Sequence, residues 1–175
     1  MLNVKLPKVV DPRKLADRGV QLTGVIAVKE MIGLSQVLVD SEAQVMADLI
    51  FSRDELRIRT ISGSAKATVP VQCQRCLEPV DVKLSANVNL AISYSEEKAQ
   101  TLPKYYDPII VEGDDLELLP LIEQELILSL PIVSYHENCS IQTSFGDGKT
   151  VATPAPEKPN PFSVLASLKG KTDKK

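Results

Sequence analysis

Every second residue from Val80 to Tyr94 is apolar or aromatic: Val80, Val82, Leu84, Ala86, Val88, Leu90, Ile92 and Tyr94. A two-residue period sustained this far places one set of side chains on one face of a single strand. Segment 56–73 reads as a second long strand, with Cys76-Leu77-Glu78-Pro79 as the turn between them. A long antiparallel hairpin with a Cys-x-x-Cys at its tip therefore dominates the fold, and its apolar face must be covered by other elements. Within 56–73 the apolar parity changes: Leu56 and Ile58 are even, whereas Ile61, Ala65, Ala67, Val69 and Val71 are odd. A strand that keeps one face buried through such a change requires a bulge, and Gly63 is placed to supply it. Pro70 cannot donate to a ladder and predicts an edge position or a second irregularity.

The remaining segments supply shorter partners. Asp11-Pro12 is an N-cap followed by proline at the first helical position, so a helix is expected to about Arg18, ending at Gly19. Alternation predicts strands near 20–28 and 43–52, with at most a helical turn in 29–38. A short helix is expected in 95–100 and a small strand at 109–111. The long helix is 118–130, with Leu118, Leu119, Ile122, Leu126 and Ile127 as its apolar stripe and Pro131 beyond its end. Periodicity is lost after about residue 140. The predicted organisation is a single α+β domain over 1–140, then a flexible linker and a short terminal helix over 141–175. The sheet is expected to be antiparallel and strongly curved, and barrel-like, with the 118–130 helix packed on it.

A chain of 175 residues with 43% apolar and 25% charged residues suits one soluble domain with a real core. No apolar run approaches the ~18 residues of a membrane helix, and the first residues lack the apolar core of a secretory signal. A cytoplasmic location without membrane association is expected.

Three cysteines and one histidine bound the site chemistry. Cys73 and Cys76 form one pair, His136 and Cys139 another, and four such ligands suit a tetrahedral zinc. The alternative is a set of reduced thiols packing the hairpin tip against the segment after the helix. The lone histidine has no visible orienting partner, and no nucleophile turn is present, so no catalytic residue is assigned.

The net charge of −3 hides segregation: residues 96–125 carry nine acidic and two basic side chains, whereas 53–83 carry six basic and four acidic. Arg53, Arg57, Arg59, Lys66 and Arg75 cluster on the hairpin, and Arg57 and Arg59 would share a strand face. Together with Lys169 and Lys171 they are candidate contacts for RNA phosphates. A solvated strand face explains the hairpin charges equally well. Phe162, Leu165 and Leu168, at helical spacing after Asn160, form a candidate docking peptide for a protein partner.

The hairpin tip CxRCLEPV, the helix LxxLIEQELILSLP, the following HENC and the terminal KPNPFSVLASLKGK occur in an order that resembles the bacterial YceD family, as do the opening KLP…DPRKLA and the GVI strand. The resemblance implies a non-enzymatic role in synthesis, processing or stability of large-subunit (23S) ribosomal RNA. Its implied partners are that RNA or its precursor, or else a large-subunit ribosomal protein or assembly factor held by an adaptor. It carries over no catalytic residue and requires no cofactor. Some members carry additional Cys-x-x-Cys pairs after the helix, where this chain has His136 and Cys139.

Overall fold

The computed structural model describes residues 5–141. Its chain order is β1 (Val9–Val10), α1 (Pro12–Arg18), β2 (Gln21–Ala27), a 3-10 turn (Val28–Glu30), α2 (Ile32–Gln36), β3 (Gln44–Arg53), β4 (Arg59–Gln72), β5 (Pro79–Ser93), α3 (Glu96–Gln100), β6 (Asp107–Ile110), β7 (Leu116–Glu117) and α4 (Leu118–Leu128). The long alternating segments do form a hairpin. β4 and β5 pair without interruption from Thr60 opposite Ala91 to Gln72 opposite Pro79.

The main sheet has the order β2-β3-β4-β5-β6, and β1 and β7 form a separate antiparallel pair. The α+β class is therefore confirmed, with two changes to the expected sheet. β6 runs parallel to β5, because the chain crosses over through α3 before returning, so the sheet is mixed rather than antiparallel. The order is open from β2 to β6, and no barrel closes among the described strands.

One face of the sheet carries the core. Val45, Ala47, Leu49 and Phe51 of β3, Ile61, Ala65, Ala67, Val69 and Val71 of β4, and Leu84, Ala86, Val88, Leu90 and Ile92 of β5 are buried in a single cluster. α1 lies against β3 and β4, and α4 against β4 and β5. α4 buries Leu118, Leu121, Ile122 and Leu126, whereas Ile127, expected in the stripe, is 37% exposed. Its Glu123 Oε1 accepts a hydrogen bond from Leu34 N at 2.8 Å, supplying the cap that α2 lacks from its own residues. The opposite face of the sheet is open, with Lys66 and Lys83 exposed on it.

The expected bulge is absent. β3 pairs with β4 in one register from Val45 opposite Ala67 to Arg53 opposite Arg59. The parity change arises because β4 begins only at Arg59, leaving Leu56 and Ile58 in the preceding turn, where strand alternation does not apply. Gly63 has a different role. Its φ is +149°, and a Cβ there would collide with the Asp48 carbonyl of β3. Glycine is required by close backbone approach within a continuous ladder. Pro70 lies beyond the last β3 pair, and its carbonyl accepts from Val39 N at 2.9 Å, so its missing N–H faces a locally unpaired edge.

Gly63→Ala is expected to destabilise the domain by about 2–4 kcal/mol, the range of a substitution that clashes at a special backbone position. Urea unfolding followed by circular dichroism measures it, and a change below about 0.5 kcal/mol, as at an ordinary surface position, would contradict the clash.

Candidate metal centre and basic clusters

The hairpin tip is a tight turn built around Cys73. Its N–H donates to Glu78 O at 2.9 Å, and Leu77 N donates to Cys73 O at 3.0 Å. Leu77 takes a left-handed φ of 63° to close the loop. The segment after α4 comes back across this turn. Gln74 N donates to Ser134 O at 2.9 Å, Gln74 Nε2 donates to Ile132 O at 3.2 Å, and the Arg75 guanidinium stacks 4.5 Å from the Tyr135 ring centroid. These contacts place His136 and Cys139 beside Cys73 and Cys76.

The four expected ligands come together: their ligand atoms lie within 4.8 Å of one another. Cys73 Sγ and Cys139 Sγ are 3.7 Å apart, and Cys76 Sγ and His136 Nδ1 are 3.4 Å apart. A tetrahedral zinc with bonds of about 2.3 Å to sulfur and about 2.0 Å to nitrogen has S···S edges of about 3.8 Å and S···N edges of about 3.5 Å. These two contacts match those edges, the sulfur–sulfur spacing is far longer than a disulfide bond, and all three cysteines are free thiols.

The surroundings favour ligation as well. His136 Nε2 lies 3.0 Å from Pro79 O. A carbonyl only accepts, so Nε2 carries the proton and the Nδ1 lone pair faces the thiols, the outer-shell arrangement that orients a metal-bound imidazole. Burial pushes the Cys73 thiol up, but the backbone N–H groups of Cys76, Arg75 and His136 outweigh it and hold this thiol down to about 5. Burial, followed by hydrogen bonding with Cys73 and Cys76, raises the Cys139 thiol. Without a cation, one thiolate is stabilised and its neighbour stays protonated. A divalent cation would release that proton. The Cys3His group can thus hold a metal ion, and its residues fit one.

The basic residues do not form one patch. Arg75 sits at the tip, stacked on Tyr135, and Lys66 stands alone of the five on the open sheet face. Arg53 and Arg59 lie at the other end of the hairpin, where both bind the carboxylate of Asp17 on α1, at 2.6 and 2.7 Å. Arg57 does not share a strand face with Arg59. It occupies the β3–β4 turn with a left-handed φ of 62°. The sequence reading missed Asp17, Arg13, Tyr94 and Lys98 as members of this end cluster. Its only signal was Tyr94, the last residue of the alternating run. Phe162, Leu165, Leu168, Lys169 and Lys171 lie outside the described residues.

Hydrogen bonds from Arg59, then from Arg53, hold the Asp17 carboxyl down to about 2, against the opposing effect of desolvation. A depressed folded-state value means that its contribution is complete above the ordinary carboxylate range and is lost as pH falls toward about 2. Asp17→Asn should therefore be less stable than the unmodified protein near neutrality, and the difference should vanish on acidification. Chemical denaturation across that pH range checks this, and a gap that persists at pH 2 would contradict it.

Fold and site together define an α+β protein with a one-sided mixed sheet and a Cys3His centre at the tip of its longest hairpin. Residues 61–169 match the family described as large ribosomal RNA subunit accumulation protein YceD. A protein of that name from Haemophilus influenzae is 33% identical over 174 residues, spanning 98% of this chain and all of the relative. The chain belongs to the YceD family. No solved structure matches it.

Proposed function

We propose that this protein is a non-enzymatic factor of ribosome biogenesis, acting in the cytoplasm to support synthesis, processing or stability of large-subunit ribosomal RNA. The observation that carries this reading is the end-to-end match to a relative named for large ribosomal RNA subunit accumulation. Among the described residues no helix is long and apolar enough to cross a membrane. Direct contact with the RNA would use the basic residues Arg53, Arg57, Arg59, Lys66 and Arg75, with Lys169 and Lys171 from the terminal segment. Residues 1–140 would form the working domain, and 141–175 a linker and helix.

A second reading, an adaptor for a basic ribosomal protein, is favoured by a groove of about 520 Å³ beside α4. Leu121, Leu128 and Pro108 line it together with Asp107, Glu117 and Glu125. Burial, then the neighbouring charge of Asp107, raises the Glu125 carboxyl, so a cationic side chain seated there would relieve both effects. Phe162, Leu165 and Leu168 would be a further docking element.

Ultraviolet crosslinking in growing cells, with sequencing of the attached RNA, separates the two readings. Direct contact predicts a peak on large-subunit ribosomal RNA or its precursor. No enrichment over a control protein would remove direct contact and leave the adaptor.

Zinc is the metal we assign to the Cys3His centre, because thiolates and imidazole in a closed tetrahedral set suit it. Reduced, purified protein is expected to contain one zinc per chain, and Cys73→Ser to lose it. Chelation should lower the melting temperature by roughly 10 °C, the effect of losing a tightly bound native-state ligand in a domain of this size. Metal-free protein whose melting is unchanged by chelator would refute the assignment.

A further inference from the structure

A cleft of about 250 Å³ lies between the β3–β4 turn and α3, lined by Arg57, Ile58, Arg59, Tyr94, Lys98 and Leu102. Three cations converge on Tyr94. Arg59 Nη1 donates to its hydroxyl at 2.6 Å. The Arg13 guanidinium lies 4.8 Å from the ring centroid and the Lys98 ammonium 5.4 Å from it. Such contacts are individually favourable, but gathering like charges at one ring raises the energy of the free protein. An anion seated among them removes that repulsion.

The ion pairs do not neutralise the cluster. Arg53 and Arg59 share the single carboxylate of Asp17, and Arg13 pairs with Asp114. Among the described residues Arg57 and Lys98 form no ion pair. Asp54 and Glu97 keep their charges nearby but accept from neutral donors, Asp54 from Ile58 N and the Tyr106 hydroxyl and Glu97 from Ser95 Oγ, and form no ion pair with Arg57 or Lys98.

Arg57 is placed by the turn that it closes. Its left-handed backbone is one that glycine or asparagine adopts more readily than arginine. Asp54 imposes it: Asp54 O accepts from Arg57 N at 3.0 Å, and Asp54 Oδ1 accepts from Ile58 N at 2.8 Å. Leu77 closes the turn at the opposite end of the hairpin in the same conformation, so at Arg57 too the turn fixes where the side chain begins.

We propose that this cleft binds the phosphodiester backbone of single-stranded RNA, with Arg57 and Lys98 meeting the phosphate oxygens, while Arg59, its fork held by Asp17 and its Nη1 by the Tyr94 hydroxyl, lines the cleft floor. This rests on the reading that the protein contacts RNA directly, and it narrows that contact to one end of the hairpin. Guanidinium forks match phosphate oxygens in geometry as well as charge. The cleft is smaller than the ~300–1,000 Å³ of a typical small-molecule pocket and suits a phosphate with its sugar better than a whole cofactor. Because cations already occupy Tyr94, the site reads charge rather than base identity, and binding should tolerate sequence changes.

The test uses the full chain and a short, fluorescently labelled, mixed-sequence single-stranded RNA, titrated over a range of salt concentrations. Arg57→Ala combined with Lys98→Ala should weaken binding about tenfold and flatten the slope of log K against log salt by about 1.4, two contacts' worth on a single strand. Both residues are exposed, so the melting curve should stay unchanged. Lys29→Ala combined with Lys83→Ala removes two exposed charges elsewhere and should leave the slope intact. If the unmodified protein binds RNA and the Arg57/Lys98 variant binds it equally well with the same slope, the cleft is overturned while direct contact stands. If the unmodified protein binds no RNA, both fail. If the variant keeps RNA but loses a ribosomal protein, the cleft belongs to a protein partner, and the RNA assignment is overturned.

Discussion

The uninterrupted register between β4 and β5 is the constraint on which the rest of the molecule depends. It keeps the odd residues of β4 and the even residues of β5 on one side, so a single face must be covered and the helices have only one place to pack. The same register fixes what lies at each end. At the tip it brings the strand ends together and presents Cys73 and Cys76. At the other end it places Arg59 near Tyr94, the residue just after β5. A slip of one residue would turn the core outward and separate both sets of groups.

The sequence made the hairpin, the first helix and the candidate metal ligands legible because each depends on short-range chemistry. Alternation needs no tertiary information. Asp11, Pro12 and Gly19 act within one helix, and Asp11 Oδ1 does accept from Arg13 N and Lys14 N. The four metal-ligand candidates were identifiable because three cysteines and one histidine leave few ways to assemble a tetrahedral set. Their convergence depended on contacts no motif encodes, chiefly those of Gln74 with Ile132 and Ser134.

What the sequence hid has equally particular causes. Leu56 and Ile58 imitate strand alternation while sitting in a turn, which produced a bulge where the ladder is continuous. The direction of β6 cannot be read from four residues, since parallel and antiparallel edge strands share one local pattern. The basic residues were linked by sequence proximity, whereas the cluster that forms recruits Asp17 and Arg13 from the first helix and Lys98 from α3. Electrostatic association across elements leaves no periodic trace, because it depends on which helix ends meet which strand ends.

The bond between His136 and Pro79 connects the Cys3His group to the first residue of β5. Cys76 and His136 are 60 residues apart in the chain. A disordered chain would have to lose about 3.6 kcal/mol of loop-closure entropy, beyond a constant term, to bring the two to one ion. Because the fold has already closed that loop, an ion would bind the native chain far more tightly than the disordered one, and its effect on stability would follow from that difference. Metal loading during synthesis would then have to wait for the segment after α4, making the last part of the domain to emerge the one that locks the hairpin made long before it.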